Sequence, residues 1–184
     1  MCGIVGIFLK NKSLQNKLGS YLSPMIDSMS SRGPDSAGFA IYNSNGNKKL
    51  NKFSLCIPDN IKIDILQKDI KKNFKDIKFK KLSDHLVVTT SSKIFEFINY
   101  IKKNYYSITI VGFGKSIEIF KQVGDPRDVV KKFKLKNFTG THGIGHTRMA
   151  TESAITTNGS HPYSTGEDEC LVHNGSLSNH NNLR

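Results

Sequence analysis

Cys2 stands directly behind Met1 at the head of "MCGIVGIF". Cleavage of Met1 would leave Cys2 with both a thiol and a free α-amino group, a nucleophile and a base on one residue. A reference thiol pKa near 8.5 and an α-amino pKa of about 7.7–8.0 are close enough for proton exchange at neutral pH. Such a pair suits nucleophilic catalysis. The other concentration of chemistry lies at the far end. "THGIGHTRMATES", "TNGSHPY" and "CLVHNGSLSNHNNLR" hold all the histidines but His85, and Arg148 is the sole arginine between Arg127 and Arg184. A guanidinium fork suits a carboxylate bidentately. Asn174-Gly175 is a common hairpin-turn signal, and its glycine lets the backbone approach a bound molecule closely.

Two other chemistries have partial signatures in the sequence. His142, His146, His161, Cys170 and His173 include a Cys-x-x-His and a His-x-x-x-His pair, but zinc needs three or four converging ligands. The second pair would need a helix that "HGIGH", with two glycines, is poorly suited to form. No metal is expected. "TIVGFGKSIE" ends like a phosphate loop, but Thr109 stands where the first glycine is needed, so a turn beside a strand is the better reading.

Elements must bring these ends together. A buried strand is expected over Ile4 to Leu9. An amphipathic helix follows through Leu18, Leu22, Met25, Ile26 and Met29. "SRGPDSAG" breaks the pattern and turns, "GFAIY" reads as a strand, and "NSNGN" as a turn. Between about 48 and 138 β-like runs ("DHLVVTT", "SITIVGF") mix with helical patterns over Ile61 to Phe74 and Ile94 to Ile101. Asp125 and Pro126 form a helix start, with Val129, Val130 and Phe133 as its apolar face. "CLV" before "HNG" reads as a strand running into a loop.

The 184 residues are enough for one domain with a core. Cys2, Cys56 and Cys170 are an odd number without repeating spacing, which fits a reducing, cytoplasmic setting better than a disulfide framework. Gly3 to Leu9 is too short for a membrane span, and no membrane partner is expected. The formal charge of +12 comes from scattered lysines in the middle of the chain, whereas residues 137–184 are slightly acidic. Without interleaved arginines and aromatics this reads as a solvated surface, and no nucleic-acid partner is expected.

"MCGIVGIF", "RGPDSAG", "GHTRMAT", "HPY" and "HNGSLSNHNNLR", in this order, resemble class II glutamine amidotransferase domains, which are N-terminal-nucleophile hydrolases. The fuller wording "GTHGIGHTRMATES" and "CLVHNGSLSNHNNLR" is most similar to stand-alone amidotransferase subunits related to glutamate synthase, including that of N-methylglutamate synthase. The resemblance covers both ends, with residues 48–138 as the divergent part of a single domain, 1–184. It implies an α+β fold, an αββα four-layer sandwich.

It further implies that Cys2 attacks glutamine and forms a thioester, that Arg148 pairs with the substrate carboxylate, that Thr151 contacts glutamine, and that Asn174 and Gly175 form the oxyanion hole. Arg32 orders the loop around Cys2 or simply belongs to a turn. His161 and His173 are scaffold residues. Glu152 departs from the histidine frequent in relatives. No cofactor is implied in this half-reaction. Ammonia would pass to a flavin-containing glutamate-synthase-like subunit. A degenerate amidotransferase fold, kept as a regulatory or assembly subunit, is the alternative. "SLSNHNNLR" reads as a cap, at Ser178 or Asn179, and a helical turn. In relatives an acid binding the glutamine amino group lies some twenty-five or more residues after the Asn-Gly pair, which here falls beyond Arg184. The chain is therefore expected to be the first part of a longer one, incomplete at its C-terminus and exposing apolar sheet surface.

Overall fold

The computed structural model describes residues 1–43, 49–150 and 154–175. Its first sheet has the strand order β1-β8-β2-β7, formed by β1 (Gly3–Phe8), β2 (Ser36–Tyr42), β7 (Ile117–Val123) and β8 (His142–Arg148), all neighbours antiparallel. Helices α1 (Leu18–Ser28) and α4 (Pro126–Lys132) cover one face. Leu18, Leu22 and Ile26, spaced by four along α1, are fully buried in a cluster with Val5, Phe39, Ile41 and Phe120. Each such side chain stabilises the fold by about 1.5–3 kcal/mol through burial. Asp125 caps α4 as its residue type predicts, its Oδ1 accepting from Arg127 N–H at 2.8 Å ahead of Pro126.

A second antiparallel sheet, ordered β4-β5-β3-β6, is built from β3 (Asn51–Cys56), β4 (Lys78–Leu82), β5 (His85–Thr90) and β6 (Thr109–Gly114). Helices α2 (Ile63–Asn73) and α3 (Ile94–Asn104) cover its outer face, with Leu66, Ile70, Phe97 and Ile101 packed on Phe53, Leu55, Leu86 and Val88. The sheets meet through Ala40, Val111, Ile117 and Ile119. At the seam the Ile119 N–H donates to Ser54 Oγ at 3.0 Å, and Glu118 pairs with Lys52 at 3.3 Å and Lys80 at 2.7 Å. The result is an α+β molecule of antiparallel sheets with helices outside, consistent with a sandwich of the N-terminal-nucleophile type.

Several lysines of the basic middle zone do more than solvate a surface. Lys52 and Lys80 join the sheets, Lys80 Nζ also lies 4.0 Å from the Phe138 ring centroid, and Lys121 is only 4% exposed. The other face of β1 behaves oppositely, with Phe8 63% exposed and Ile4 also exposed. Among the described residues no helix is long and apolar enough to cross a membrane.

Strand β8 is where the sequence pattern was hardest to read. "HGIGHTR" lacks the apolar alternation of a half-buried strand because helix α1 lies too close for side chains there. A Cβ on Gly145 would stand 2.6 Å from Ile26 Cγ1 and 3.0 Å from Val5 Cγ2. Glycine is thus a packing requirement at this point rather than a strand breaker.

Candidate functional site

The site forms where β1 begins and β8 ends. Gly3 pairs with Thr147 across these strands, so Cys2 is carried to the residues that follow Arg148. Cys2 is partly buried, with its Sγ 3.9 Å from the Met149 carbonyl oxygen, and the Met1 ammonium donates to Met149 Sδ at 2.8 Å. While Met1 is attached, the Cys2 nitrogen is a peptide amide.

Arg148, the last residue of β8, is 7% exposed, and its Nη1 donates to the Ala154 carbonyl at 3.3 Å. The following turn is held by Asp35, whose part the sequence reading missed although "RGPD" contained it. The Asp35 N–H donates to Arg148 O at 3.1 Å, and its Oδ2 accepts from Ala150 N–H at 2.7 Å. One carboxylate residue therefore grips both sides of Met149. Arg32 is exposed at the end of a 3-10 turn over Ser30–Arg32, and among the described residues its guanidinium makes no hydrogen bond or ion pair. Thr151 and Glu152 fall outside the described residues, as do Ser178 and Asn179.

The "HNG" segment arrives from a short hairpin, β9 (Tyr163–Gly166) and β10 (Glu169–Leu171). Here the structure joins the two ends of the chain: Asn174 Nδ2 donates to the Cys2 carbonyl at 3.0 Å. The preceding carbonyl, of His173, accepts from His146 Nε2–H at 2.9 Å. Gly175 takes φ +154°, a conformation that L side chains rarely adopt. Asn174 and Gly175 are both exposed beside Cys2.

Beneath this segment the rings of His146 and His161 lie 4.1 Å apart between centroids. Burial is the main reason that both lose protons easily: His146 is lowered, and His161 is pushed down to about 3, with His146, Lys121 and Arg148 adding to the effect. These imidazoles are neutral at physiological pH, and their buried Nδ1 atoms have no hydrogen-bond partner among the described residues. His142, His146, His161, Cys170 and His173 do not converge as a set. His142 stacks on Tyr42, Cys170 Sγ contacts Tyr42 Oη at 3.4 Å, and His173 contributes its carbonyl. Cys56, Asp84 and His85 do lie within 4.8 Å of one another by their ligand atoms. Their carboxylate is already engaged, accepting from His85 Nδ1–H at 3.1 Å and Gln122 Nε2–H at 2.9 Å. A concavity of about 900 Å³, lined by Pro58, Asp64, Asp84, Gln122 and Lys132, shares no residue with the Cys2 site. The phosphate-loop-like Gly114-Lys115-Ser116 is the turn from β6 to β7, and its N–H groups receive the Asp168 carboxylate.

Comparison with known proteins gives the site its context. No sequence-family profile matches the chain. The chain is 47% identical over 185 residues to the glutamine amidotransferase-like protein GlxB of Rhizobium meliloti, covering all of this chain and 62% of that one. It is 29% identical over 199 residues to a protein of Methanothermobacter thermautotrophicus provisionally named a glutamine amidotransferase, covering all of this chain and 64% of the other. A shorter stretch of 83 residues, 45% of this chain, is 39% identical to 14% of the glutamine–fructose-6-phosphate aminotransferase of Methanococcus maripaludis. The chain thus spans just under two thirds of the length of its two long-matching relatives. Similarity that runs along all of its residues relates the chain to these glutamine amidotransferase-like proteins and supports the resemblance to class II glutamine amidotransferases that its motifs carry.

Proposed function

We propose that this protein carries out the glutaminase half-reaction, glutamine and water to glutamate and ammonia. The observation that carries the reading is the bond from Asn174 Nδ2 to the Cys2 carbonyl, which sets an amide donor beside the one thiol able to carry its own amine. After Met1 is removed, the Cys2 amine takes the thiol proton and sulfur attacks the side-chain amide carbon of glutamine. A C–S bond forms, and the carbonyl electron pair moves onto oxygen. Asn174 Nδ2–H and Gly175 N–H donate to that oxyanion. Collapse breaks the C–N bond, and the proton held by the amine leaves with the nitrogen as ammonia. Water then attacks the thioester by the same route, releasing glutamate and restoring the thiol. Arg148 binds the α-carboxylate of the substrate through its guanidinium fork, and Thr151 contacts the same substrate. The neutral His146 and His161 hold the segment and take no proton.

In this reading Arg32 steadies the approach to Cys2, and ammonia passes to a flavin-containing synthase subunit of the glutamate-synthase or N-methylglutamate-synthase kind. The wording of the "GTHGIGHTRMATES" and "CLVHNGSLSNHNNLR" segments supports that partner. The three free thiols suit a reducing cytoplasm.

Ammonia release by the intact natural protein, compared with Asn174→Ala, is the test. The variant is expected to lose about 10²–10³ in kcat, the cost of one oxyanion donor, with KM little changed. A wild-type protein that binds its synthase partner but releases no ammonia from glutamine would show instead a regulatory subunit.

A further inference from the structure

The β9–β10 hairpin that delivers Asn174 and Gly175 has little to hold it by itself. Its strands are four and three residues long, with a register irregularity between Glu169 and Cys170. Two-stranded hairpins are marginal in water even when longer. Strand β7 and the turn before it grip this hairpin at both ends.

At its tip, Asp168 sits at φ +57° and turns its carboxylate into the turn from β6 to β7. Oδ1 accepts from Ser116 N–H at 2.8 Å, Ser116 Oγ–H at 2.9 Å and Ile117 N–H at 3.0 Å, while Oδ2 accepts from Lys115 N–H at 3.0 Å. The Asp168 N–H returns a bond to Phe113 O at 3.0 Å. Burial raises the Asp168 carboxyl, but the N–H groups of Ser116, Lys115 and Ile117 outweigh it and hold the group below the usual carboxylate range.

At its base, Lys121 on the same strand is buried beneath the loop that leads into β9. Its Nζ donates to Ser160 O at 2.8 Å and Asn158 O at 3.4 Å, and lies 4.8 Å from the Tyr163 ring centroid. Among the described residues no carboxylate lies within ion-pair distance of it. The next residue, His161, rests on His146, which holds the His173 carbonyl next to Asn174.

We propose that Asp168 and Lys121 are positioning residues, through which the 113–121 region fixes Asn174 and Gly175 over Cys2. The inference rests on the reading of Asn174 and Gly175 as oxyanion donors. It gives the divergent middle of the chain a task in the site.

The test uses Asp168→Asn, Lys121→Met and the milder Ser116→Ala, which deletes one of the four bonds to Asp168, in the intact natural protein. Nitrogen-15 NMR follows the Asn174 side-chain amide and the Gly175 backbone amide, and ammonia release is measured at a temperature where circular dichroism shows every variant folded. Both amide signals are expected to shift or broaden in Asp168→Asn and Lys121→Met and to move less in Ser116→Ala. The accompanying kcat should fall at least about tenfold with KM for glutamine within about twofold, since misplacing the donors affects the transition state rather than substrate binding. Unmoved amide signals in a folded variant, or a fall in stability with kcat unchanged, would overturn the proposal. Should Asp168→Asn fail to fold, the amide signals of Ser116→Ala decide it. If the wild-type protein releases no ammonia, the glutaminase reading fails while the NMR comparison still decides this one.

Discussion

Arg148 closes strand β8 with its side chain buried. It is 7% exposed and its Nη1 donates to the Ala154 carbonyl at 3.3 Å, which holds the guanidinium in place. Arg148→Lys keeps the charge and loses the fork. KM for glutamine is expected to rise about tenfold, equivalent to about 1.4 kcal/mol, with a smaller change in kcat. Unchanged kinetics would place Arg148 outside the substrate pocket. Cys2, Arg148, Asn174 and Gly175 stand out in the sequence because each carries a group that amide chemistry uses, and the structure brings Asn174 to Cys2. Asp35 does not stand out, because its work is done through the backbone N–H of Ala150, and no residue pattern records where a turn's amide will point.

At the scale of elements, α1 and α4 followed from apolar spacing and capping chemistry, and β1 and β2 from apolar runs. The second sheet was only partly visible. "KFKKL" and "NKFSLC", which form β4 and β3, look polar because their lysines lie along the seam or in solvent. "IEIFKQV", β7, alternates in type, yet both faces are buried: Ile117, Ile119 and Lys121 on one side and Phe120 on the other. Strand β8 was hidden by its glycines, and that explanation is testable. Gly145→Ala puts a methyl group against Ile26 and Val5 in a filled core, and overpacking of this kind costs about 1–3 kcal/mol. A lowered thermal midpoint with intact secondary structure by circular dichroism is expected; an unchanged or raised midpoint would show that α1 can move away.

Across the whole molecule, buried histidines tie stability to pH. His161 is pushed down to about 3, and His146 and His142 are also lowered, all chiefly by burial. Below about pH 6.5 the unfolded chain binds protons on these rings that the native state refuses, so the unfolded state gains as pH falls. Native stability should therefore be fully present above pH 6.5. For His161 it should fall towards pH 3 by up to about 1.4 kcal/mol per pH unit, with His146 and His142 adding in the same direction. Denaturant midpoints from pH 8 to 4.5 will show this slope, and His161→Gln should flatten it. A wild-type midpoint constant between pH 7 and 5 would contradict the buried neutral pair. The central claim, however, is that folding brings the two ends of the chain together to make Cys2 a glutamine-directed nucleophile. The direct measurement is peptide mass spectrometry of the intact natural protein after reaction with a glutamine-like electrophile, with and without excess glutamine. One adduct per chain on Cys2 is expected, in protein whose first residue is Cys2. Glutamine should block it, and it should be absent from protein verified by intact mass to retain Met1. Labelling of Cys56 or Cys170 instead, or equal labelling and turnover with Met1 retained, would contradict the account.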